Sequence, residues 1–485
     1  MSEGKQFYSA YGLTRSGSQR YLCKGSVDSR ICGKTFAVAT KSTIRQRLTH
    51  KNRVIFAALV NKVPLRRIAE LVGISGQTVY GKIDFLHRQC VAFSSSREIL
   101  IREKELDRLY LSVDRQEYLI NWVRREDKRN TVVSAVTTAD NTTGYIFASH
   151  LNFDPNLDPA IVEDDAKQAG DEALQFPYRK YARLWMEDDY IAAMAASSRS
   201  RISGDLEKDI AITYADSEQR QDVESPDQPE LSEKLPERGM QVHAEYTLYA
   251  HFMYLHHLFG KVGKIRFFLD QNSGIRAACL AAFKDEIRSR KADAFYVRIS
   301  KAMTVDEKRR LKQQSDKAVA KTMAENPGID WHQATLVLMR QRIEAAQSIG
   351  KWKDRWVIHP ISTMIEPEKA LCHLTDYGDY APDHAAALYN KASLRGVDSF
   401  FNRVRRRVAM LERGIKSQSN AGRVWYGYAP YNPAQVQKLL DIFRTVHNYV
   451  LLSSKDKKSP AMRLGLAKGT VSFEDIIYFK HNGLV

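Results

Sequence analysis

Three aspartates stand where a carboxylate is not expected. Asp114 closes the apolar run LYLSVD (109–114), Asp270 closes KIRFFLD (264–270), and Asp398 opens an arginine-dense stretch with helical spacing, VDSFFNRVRRRVAMLERGI (397–415). Leu, Val, Ile and Phe fill the interior of a sheet, so an acid at the mouth of such a strand must be solvated, paired or bound to a cation. Two strand-end carboxylates and one from a helix make an all-oxygen donor set of the kind magnesium prefers. Two such ions, about 3.5–4 Å apart, activate an attacking oxygen and stabilise the leaving oxygen in phosphodiester cleavage. Taken singly, each aspartate is an ordinary solvated residue at the end of an element. The three settings together point to metal-dependent chemistry.

The composition names the same class of partner. A net charge of +17 over 485 residues favours a polyanion, above all nucleic acid. The charge is uneven: residues 154–238 hold 21 acidic against 10 basic side chains, so the rest of the chain is more basic than the average. No apolar run approaches the roughly 20 residues that cross a bilayer. The N-terminal MSEGKQFYSAYG has no signal-peptide core, so a soluble intracellular protein with no membrane partner is expected. Five scattered cysteines (Cys23, Cys32, Cys90, Cys279, Cys372) argue against a disulfide framework.

The elements that must position these residues follow from periodicity. QRYLCKGSVDSRICGKTF (19–36) reads as a β hairpin or knuckle. Around Ile68, Ala69, Val72, Ile74, Val79 and Ile83 the spacing predicts a helix, a three-residue turn at Gly73 and a second helix, with Pro64 in the first helical turn. LYLSVD, NTVVSAVTT (130–138) and YIFASHL (145–151) predict an antiparallel meander. The polar, proline-bearing 225–239 segment predicts a mobile surface stretch. A helix over 243–261, the strand ending at Asp270, a further helix and a strand over 293–299 form a β-α-β unit. Residues 301–350 read as helical and 356–361 as a strand. The fold class is mixed α/β.

Two segments have the makings of DNA-binding elements. A helix-turn-helix lays its second helix in the major groove, and Ser75, Gln77, Thr78, Tyr80 and Lys82 would be on or near the exposed face. The bland alternative is an ordinary helical hairpin. In the arginine-rich stretch, Phe400, Phe401, Val404, Val408 and Leu411 would dock a helix on the sheet, leaving Arg403, Arg405, Arg406, Arg407 and Arg413 to meet phosphates beside Asp398. Cys23 and Cys32 invite a zinc reading. A structural zinc needs four ligands, so two free thiols in a small β element is the better account.

On these residues the chain resembles the DDE-type transposases of bacterial insertion sequences, built on a ribonuclease H-like catalytic domain. SGSQRYLCK with CGKTF resembles the latter half of an N-terminal zinc ribbon, 64–89 the helix-turn-helix, LYLSVDRQ and FFLDQNSG the first two catalytic strands. VDSFFNRVRRRVAMLERGI with GRVWYGYAPYNPAQVQKLLDIFRTVHNYV is similar to the C-terminal helix and its extension. The resemblance implies a ribonuclease H-like mixed sheet flanked by helices, with Asp114, Asp270 and Asp398 holding two Mg2+ or Mn2+ ions.

It further implies double-stranded DNA as partner (terminal repeats and target), a homo-oligomer when two ends are paired, and a cytoplasmic, nucleoid-associated setting. The implied divisions are a partial zinc-ribbon-like element (1–42), the helix-turn-helix domain (43–95), the first part of the catalytic core (105–153), an acidic insertion (154–242), the second part of the core (243–300), a mostly helical insertion (301–395), and the catalytic C-terminal helix with its extension (396–485).

The sequence departs from the family pattern in three places. The ribbon's first cysteine pair is missing, which hints at a late-started N-terminus and argues against structural zinc. The third acid is Asp where Glu is usual, making Glu412 a rival for that place. An acidic insertion separates the first two aspartates. Two other functions fit the same motifs: a non-catalytic helix-turn-helix regulator derived from a transposase, and a structure-selective nuclease on the same fold.

Overall fold

The computed structural model describes residues 7–13, 19–27, 30–37, 43, 46–196, 205–219, 227–300, 303–350, 352–416 and 424–480. The chain forms two compact units, one of Met1–Ile99, Val404–Glu412 and Lys438–Val485, the other of Leu100–Arg403 and Arg413–Gln437.

The first unit begins with a three-stranded antiparallel sheet of β1 (Tyr8–Leu13), β2 (Gln19–Cys23) and β5 (Thr35–Ala37), with the short pair β3 (Ser26–Val27) and β4 (Arg30–Ile31) between β2 and β5. Three helices follow: α1 (Asn52–Leu59), α2 (Leu65–Val72) and α3 (Gly76–Glu98). Pro64 stands just ahead of α2 in an extended conformation, and Gly73 ends the helix in the left-handed region at φ 64°. The Ser75 hydroxyl accepts the Thr78 N–H at 3.2 Å and caps α3. Ile55, Phe56, Ile68, Val79 and Ile83 are fully buried among these helices.

In the second unit an eight-stranded mixed sheet is flanked by helices. The first three strands are β6 (Leu106–Ile120), β7 (Thr131–Asp140) and β8 (Ile146–Leu151). A two-stranded ribbon, β9 (Phe153–Asp154) with β10 (Met240–Gln241), brackets α4 (Pro159–Ala169), α5 (Glu187–Ala196) and α6 (Leu206–Gln219). After α7 (Ala244–Leu258) come β11 (Val262–Asp270), α8 (Ser273–Ala282), α9 (Lys284–Arg288) and β12 (Ala292–Ile299). Next are α10 (Val305–Glu325), α11 (Trp331–Glu344), β13 (Gln347–Ile349), β14 (Asp354–Ile358), β15 (Lys369–His373), α12 (Pro382–Lys391) and α13 (Arg395–Arg407). The sheet order is β13-β14-β15-β12-β11-β6-β7-β8. β11 runs parallel to both β6 and β12, and the other pairs are antiparallel. Gly263 permits the close approach of β11 to β6, since a Cβ there would stand 2.9 Å from the Asp107 carbonyl oxygen.

Beyond α14 (Ala434–Thr445), the C-terminal residues return to the first unit with α15 (Pro460–Leu464) and α16 (Phe473–Ile477). The Gln89 amide donates to the carbonyls of Ile476, Ile477 and Phe479, and Arg444 pairs with Glu98. The expected 396–485 division therefore parts company with itself: residues 438–485 build on α3.

Three further expectations need correction, and one strand, β15, was not foreseen. β6 does not stop at Asp114 but continues to Ile120, because β7 pairs with it as far as Thr131. Of the 225–239 segment expected to be mobile, residues 225 and 226 lie outside the described residues. The remainder is packed: Glu233 and Pro236 are buried, and Lys234 donates its N–H to the Asn130 carbonyl at 2.9 Å. β15 is a fully buried strand whose five residues are too few to show a period. The arginine-rich helix ends at Arg407 rather than near 415. There Lys62, itself left-handed at φ 67°, gives its N–H to the Arg407 carbonyl at 2.6 Å and its ammonium to the Arg405 carbonyl.

Candidate active site

Asp114 and Asp270 each follow directly on the last facing pair of two neighbouring parallel strands. The parallel register of β6 and β11 pairs Phe268 with Ser112 and Leu269 with Val113. Side chains two apart on a strand share a face. Ser112 and Asp114 therefore stand on the side of the sheet that also carries Phe268 and Asp270. Asp114 is buried and its Oδ1 accepts the Arg115 N–H at 2.7 Å, while Asp270 is half-buried at the end of its strand.

The third acid arrives on α13, whose entry is fixed to that same face. Val397 donates its N–H to the Ser112 hydroxyl at 3.1 Å, Gly396 donates to the Asn141 side-chain oxygen at 2.9 Å, and the Asn141 amide donates to the Ser393 carbonyl at 2.8 Å. Glu366 holds the turn from the other side, accepting from the Ser393 hydroxyl and, at 3.1 Å, from the Leu394 N–H. Val397, Phe400, Phe401 and Val404 are buried, so the helix lies on its apolar stripe as its spacing requires. Asp398, half-buried in the first turn, is one residue past the amide that is bonded to Ser112. The start of the helix that carries Asp398 is thus seated on the sheet face that carries Asp114.

The donor set fits hard divalent cations, since every candidate ligand is a carboxylate oxygen. Among the described residues, the one group of three acidic, Cys or His donors mutually within 4.8 Å is Asp227, His243 and Glu245. Asp114, Asp270 and Asp398 do not form such a group. In the Asp227 group, the carboxylate accepts from the Trp185 indole N–H at 3.2 Å and the Ala244 N–H at 2.8 Å, with the Arg115 guanidinium 3.7 Å away. A cation is already supplied there by the protein.

Glu412 does not share the helix of Asp398. It follows the 3-10 turn Ala409–Leu411, and its carboxylate takes the Lys62 ammonium. Of the arginines, Arg403, Arg406 and Arg413 are exposed, while Arg405 and Arg407 are half-buried, Arg407 donating to Asn61 at 3.1 Å. Of the residues on the second helix of the pair, Ser75, Gln77 and Tyr80 are exposed and Thr78 half-exposed. Lys82 is a correction: it is 3% exposed, and its ammonium donates to the Arg47 carbonyl. Burial pushes its pKa down to about 8. It points into the helical core and is not available to a phosphate. Cys23 and Cys32 are free thiols close enough to hydrogen-bond each other; the Lys34 N–H and then Cys23 hold the Cys32 pKa below its usual value.

Sequence reasoning did not single out Ser112, Asn141, Glu366 or Gly396, the residues that seat α13. Only the glycine beside Asp398 carried a signal, because a helix start that must touch a strand has no room for a Cβ. No protein-family model matches this sequence, and comparison with curated proteins finds no relative. Among the described residues, no helix is long and apolar enough to cross a membrane.

Proposed function

We propose that the protein is a DNA transposase of the DDE type, with Asp114, Asp270 and Asp398 as its metal-binding acids. The observation that carries this reading is the parallel register of β6 with β11, whose last pair, Leu269 with Val113, directly precedes Asp270 and Asp114, with α13 seated on the same face through Ser112. The strand order adds support. Counting from β6, the sheet runs third, second, first, fourth, fifth, with the first three strands antiparallel and the next two parallel, as in a ribonuclease H-like core. The β13–β15 strands extend that core at one edge.

Mg2+ or Mn2+, when bound, would supply charge stabilisation at the scissile phosphate. Asp114, Asp270 and Asp398 would be the residues that hold the ions. The reaction is in-line attack at phosphorus: water attacks at a transposon end and the P–O3′ bond breaks, and the freed 3′-hydroxyl then attacks a target phosphate, whose own P–O3′ bond breaks to release a target 3′-hydroxyl. The helix pair α2–α3 would act as a helix-turn-helix reading terminal repeats through Gln77 and neighbouring residues, with exposed arginines on backbone phosphates. Double-stranded DNA in the bacterial cytoplasm is the substrate, and two copies of the chain would pair the two ends.

The test is Mg2+- or Mn2+-dependent nicking and strand transfer on DNA from the ends of the element. Asp114→Asn and Asp270→Asn should each lower activity by at least 10³-fold while DNA binding persists, a loss typical of removing a group that stabilises transition-state charge (about 10²–10³-fold or more). Undiminished activity in either variant rules the site out. DNA binding without any metal-dependent cleavage by the wild-type chain favours a regulator instead.

A further inference from the structure

The first four N–H groups of a helix have no carbonyl of their own helix to bond. At the start of α13 all four are taken by side-chain oxygens. Leu394 donates to Glu366 at 3.1 Å, Arg395 to the Ser393 hydroxyl at 3.0 Å, Gly396 to Asn141 at 2.9 Å and Val397 to Ser112 at 3.1 Å. The first bond of the helix itself, from the Asp398 N–H to the Leu394 carbonyl, follows at 3.0 Å. Ser112 lies in β6 and Asn141 directly follows β7, so the sheet holds those two oxygens in place. Glu366 lies in the segment ahead of β15 and has no such support from a strand of its own.

Lys369 supplies it. This lysine opens β15, faces Ile299 of β12 in the sheet and accepts the His359 N–H on its carbonyl at 2.8 Å, so its backbone is fixed. Its ammonium donates to Glu366 Oε2 at 3.0 Å and to the carbonyl of Ala392, just past α12, at 2.8 Å. Glu366 Oε1 accepts from the Ser393 hydroxyl and the Leu394 N–H. A chain of directional bonds therefore runs from the sheet through Lys369 and Glu366 to the first amide of α13. Both charges are buried, the lysine at 6% and the glutamate at 7% exposure. Breaking such a pair destabilises a fold, yet replacing it whole by neutral groups of similar volume is often neutral for stability. What the pair provides that neutral groups do not is a fixed geometry, and here that geometry is the start of the helix that carries Asp398.

We infer that Lys369 is a positioning residue for Asp398, acting through Glu366 to fix the first turn of α13. The inference rests on the transposase reading, which makes Asp398 a ligand of the metal ions. Partners that orient a ligand without touching the metal are worth about 10–100-fold in metal affinity. The effect of Lys369 therefore falls on the metal requirement and leaves DNA binding as it is.

The test uses the full chain and two readouts: Mn2+ binding followed by electron paramagnetic resonance without DNA, and Mn2+-dependent nicking of duplex DNA from the ends of the element. Lys369→Met should raise the Mn2+ concentration for half-saturation about 10-fold or more in both, with duplex affinity in EDTA unchanged. In an Asp398→Asn background, where the ligand is already gone, Lys369→Met should weaken Mn2+ binding no further. Because Lys369→Met leaves the Glu366 charge buried alone, Glu366→Gln combined with Lys369→Met is the companion variant. It removes both charges and keeps an oxygen for Leu394, but no longer ties that oxygen to β15. It should melt near the wild type and still bind Mn2+ about 10-fold more weakly. Lys321→Met, which removes an exposed lysine of α10 paired with Glu325, should match the wild type throughout. Wild-type Mn2+ affinity in the neutral double variant, or a full further loss in the Asp398→Asn background, overturns the inference. The transposase reading is judged on the wild type: Lys369-dependent Mn2+ binding without nicking defeats that reading alone, whereas nicking whose Mn2+ requirement neither variant moves defeats the role of Lys369 alone.

Discussion

The backbone N–H of Val397 donates to the hydroxyl of Ser112 at 3.1 Å, tying the helix that carries Asp398 to the strand that carries Asp114. Asp114 lies two positions past Ser112 and Asp398 follows directly on Val397, so this bond sets where the start of the third acid's helix stands relative to the first acid. It is a positioning contact in which neither partner is acidic.

The seat of α13 should be intolerant of added volume. A Cβ at Gly396 would come 2.4 Å from the Asn141 side-chain oxygen and 2.8 Å from the Ser112 hydroxyl. Gly396→Ala should therefore cost about 1–3 kcal/mol as an overpacked contact and lower the cleavage rate with it. Ser112→Ala strands the Val397 amide and should cost about 1–3 kcal/mol. Urea unfolding and nicking rates on the two variants are the measurements; a Gly396→Ala protein of unchanged stability and rate would show that the contact positions nothing.

The third acid can be decided by a pair of substitutions. Asp398→Asn should abolish nicking, and Asp398→Glu should keep measurable activity, since a carboxylate is retained on the same turn. Glu412→Gln loses the ion pair with Lys62, about one-third exposed on both sides, and should cost about 1 kcal/mol or less with nicking intact. The reverse pattern would assign the metal to Glu412.

Lys82 makes stability rise with alkalinity. Its folded pKa of about 8 lies below the ordinary lysine value, so between about pH 8 and 10 the unfolded chain keeps a proton that the folded chain has released. The folded state is favoured progressively through that window. Thermal melting from pH 7.5 to 10 should show Tm rising for the wild type, and a flatter profile for Lys82→Met, which has no ammonium to bury.

His251 should act in the acid range. It is fully buried in α7, with Nε2 2.7 Å from the Thr138 hydroxyl and Nδ1 3.1 Å from His150, and burial followed by the His150 charge holds its pKa well below the usual value. An unfolded chain protonates this ring near pH 6.5 while the folded chain does not, so stability present above that pH is lost as it falls. Denaturant unfolding at pH 7 and pH 5 should differ less in His251→Leu than in the wild type.

How far the sequence reached is clearest at particular residues. Periodicity located β6, β7, β8, β11 and β12, and the spacing of Phe400, Phe401 and Val404 marked the buried stripe of α13, because alternation and helical repeats are local consequences of having one face in the core. It also picked out Asp114, Asp270 and Asp398, since acids at apolar boundaries are visible without a structure. Three matters were decided by tertiary structure. Whether the two strand acids are neighbours depends on the parallel register of β6 with β11, a pairing between segments about 150 residues apart that no window of sequence contains. The end of α13 at Arg407 was set by Lys62, and the removal of Lys82 from any DNA-facing surface by the packing around α3. Residue type and spacing name the candidate chemistry, but hydrogen-bonding partners distant in sequence decide which groups meet, because burial and pairing are properties of the folded chain.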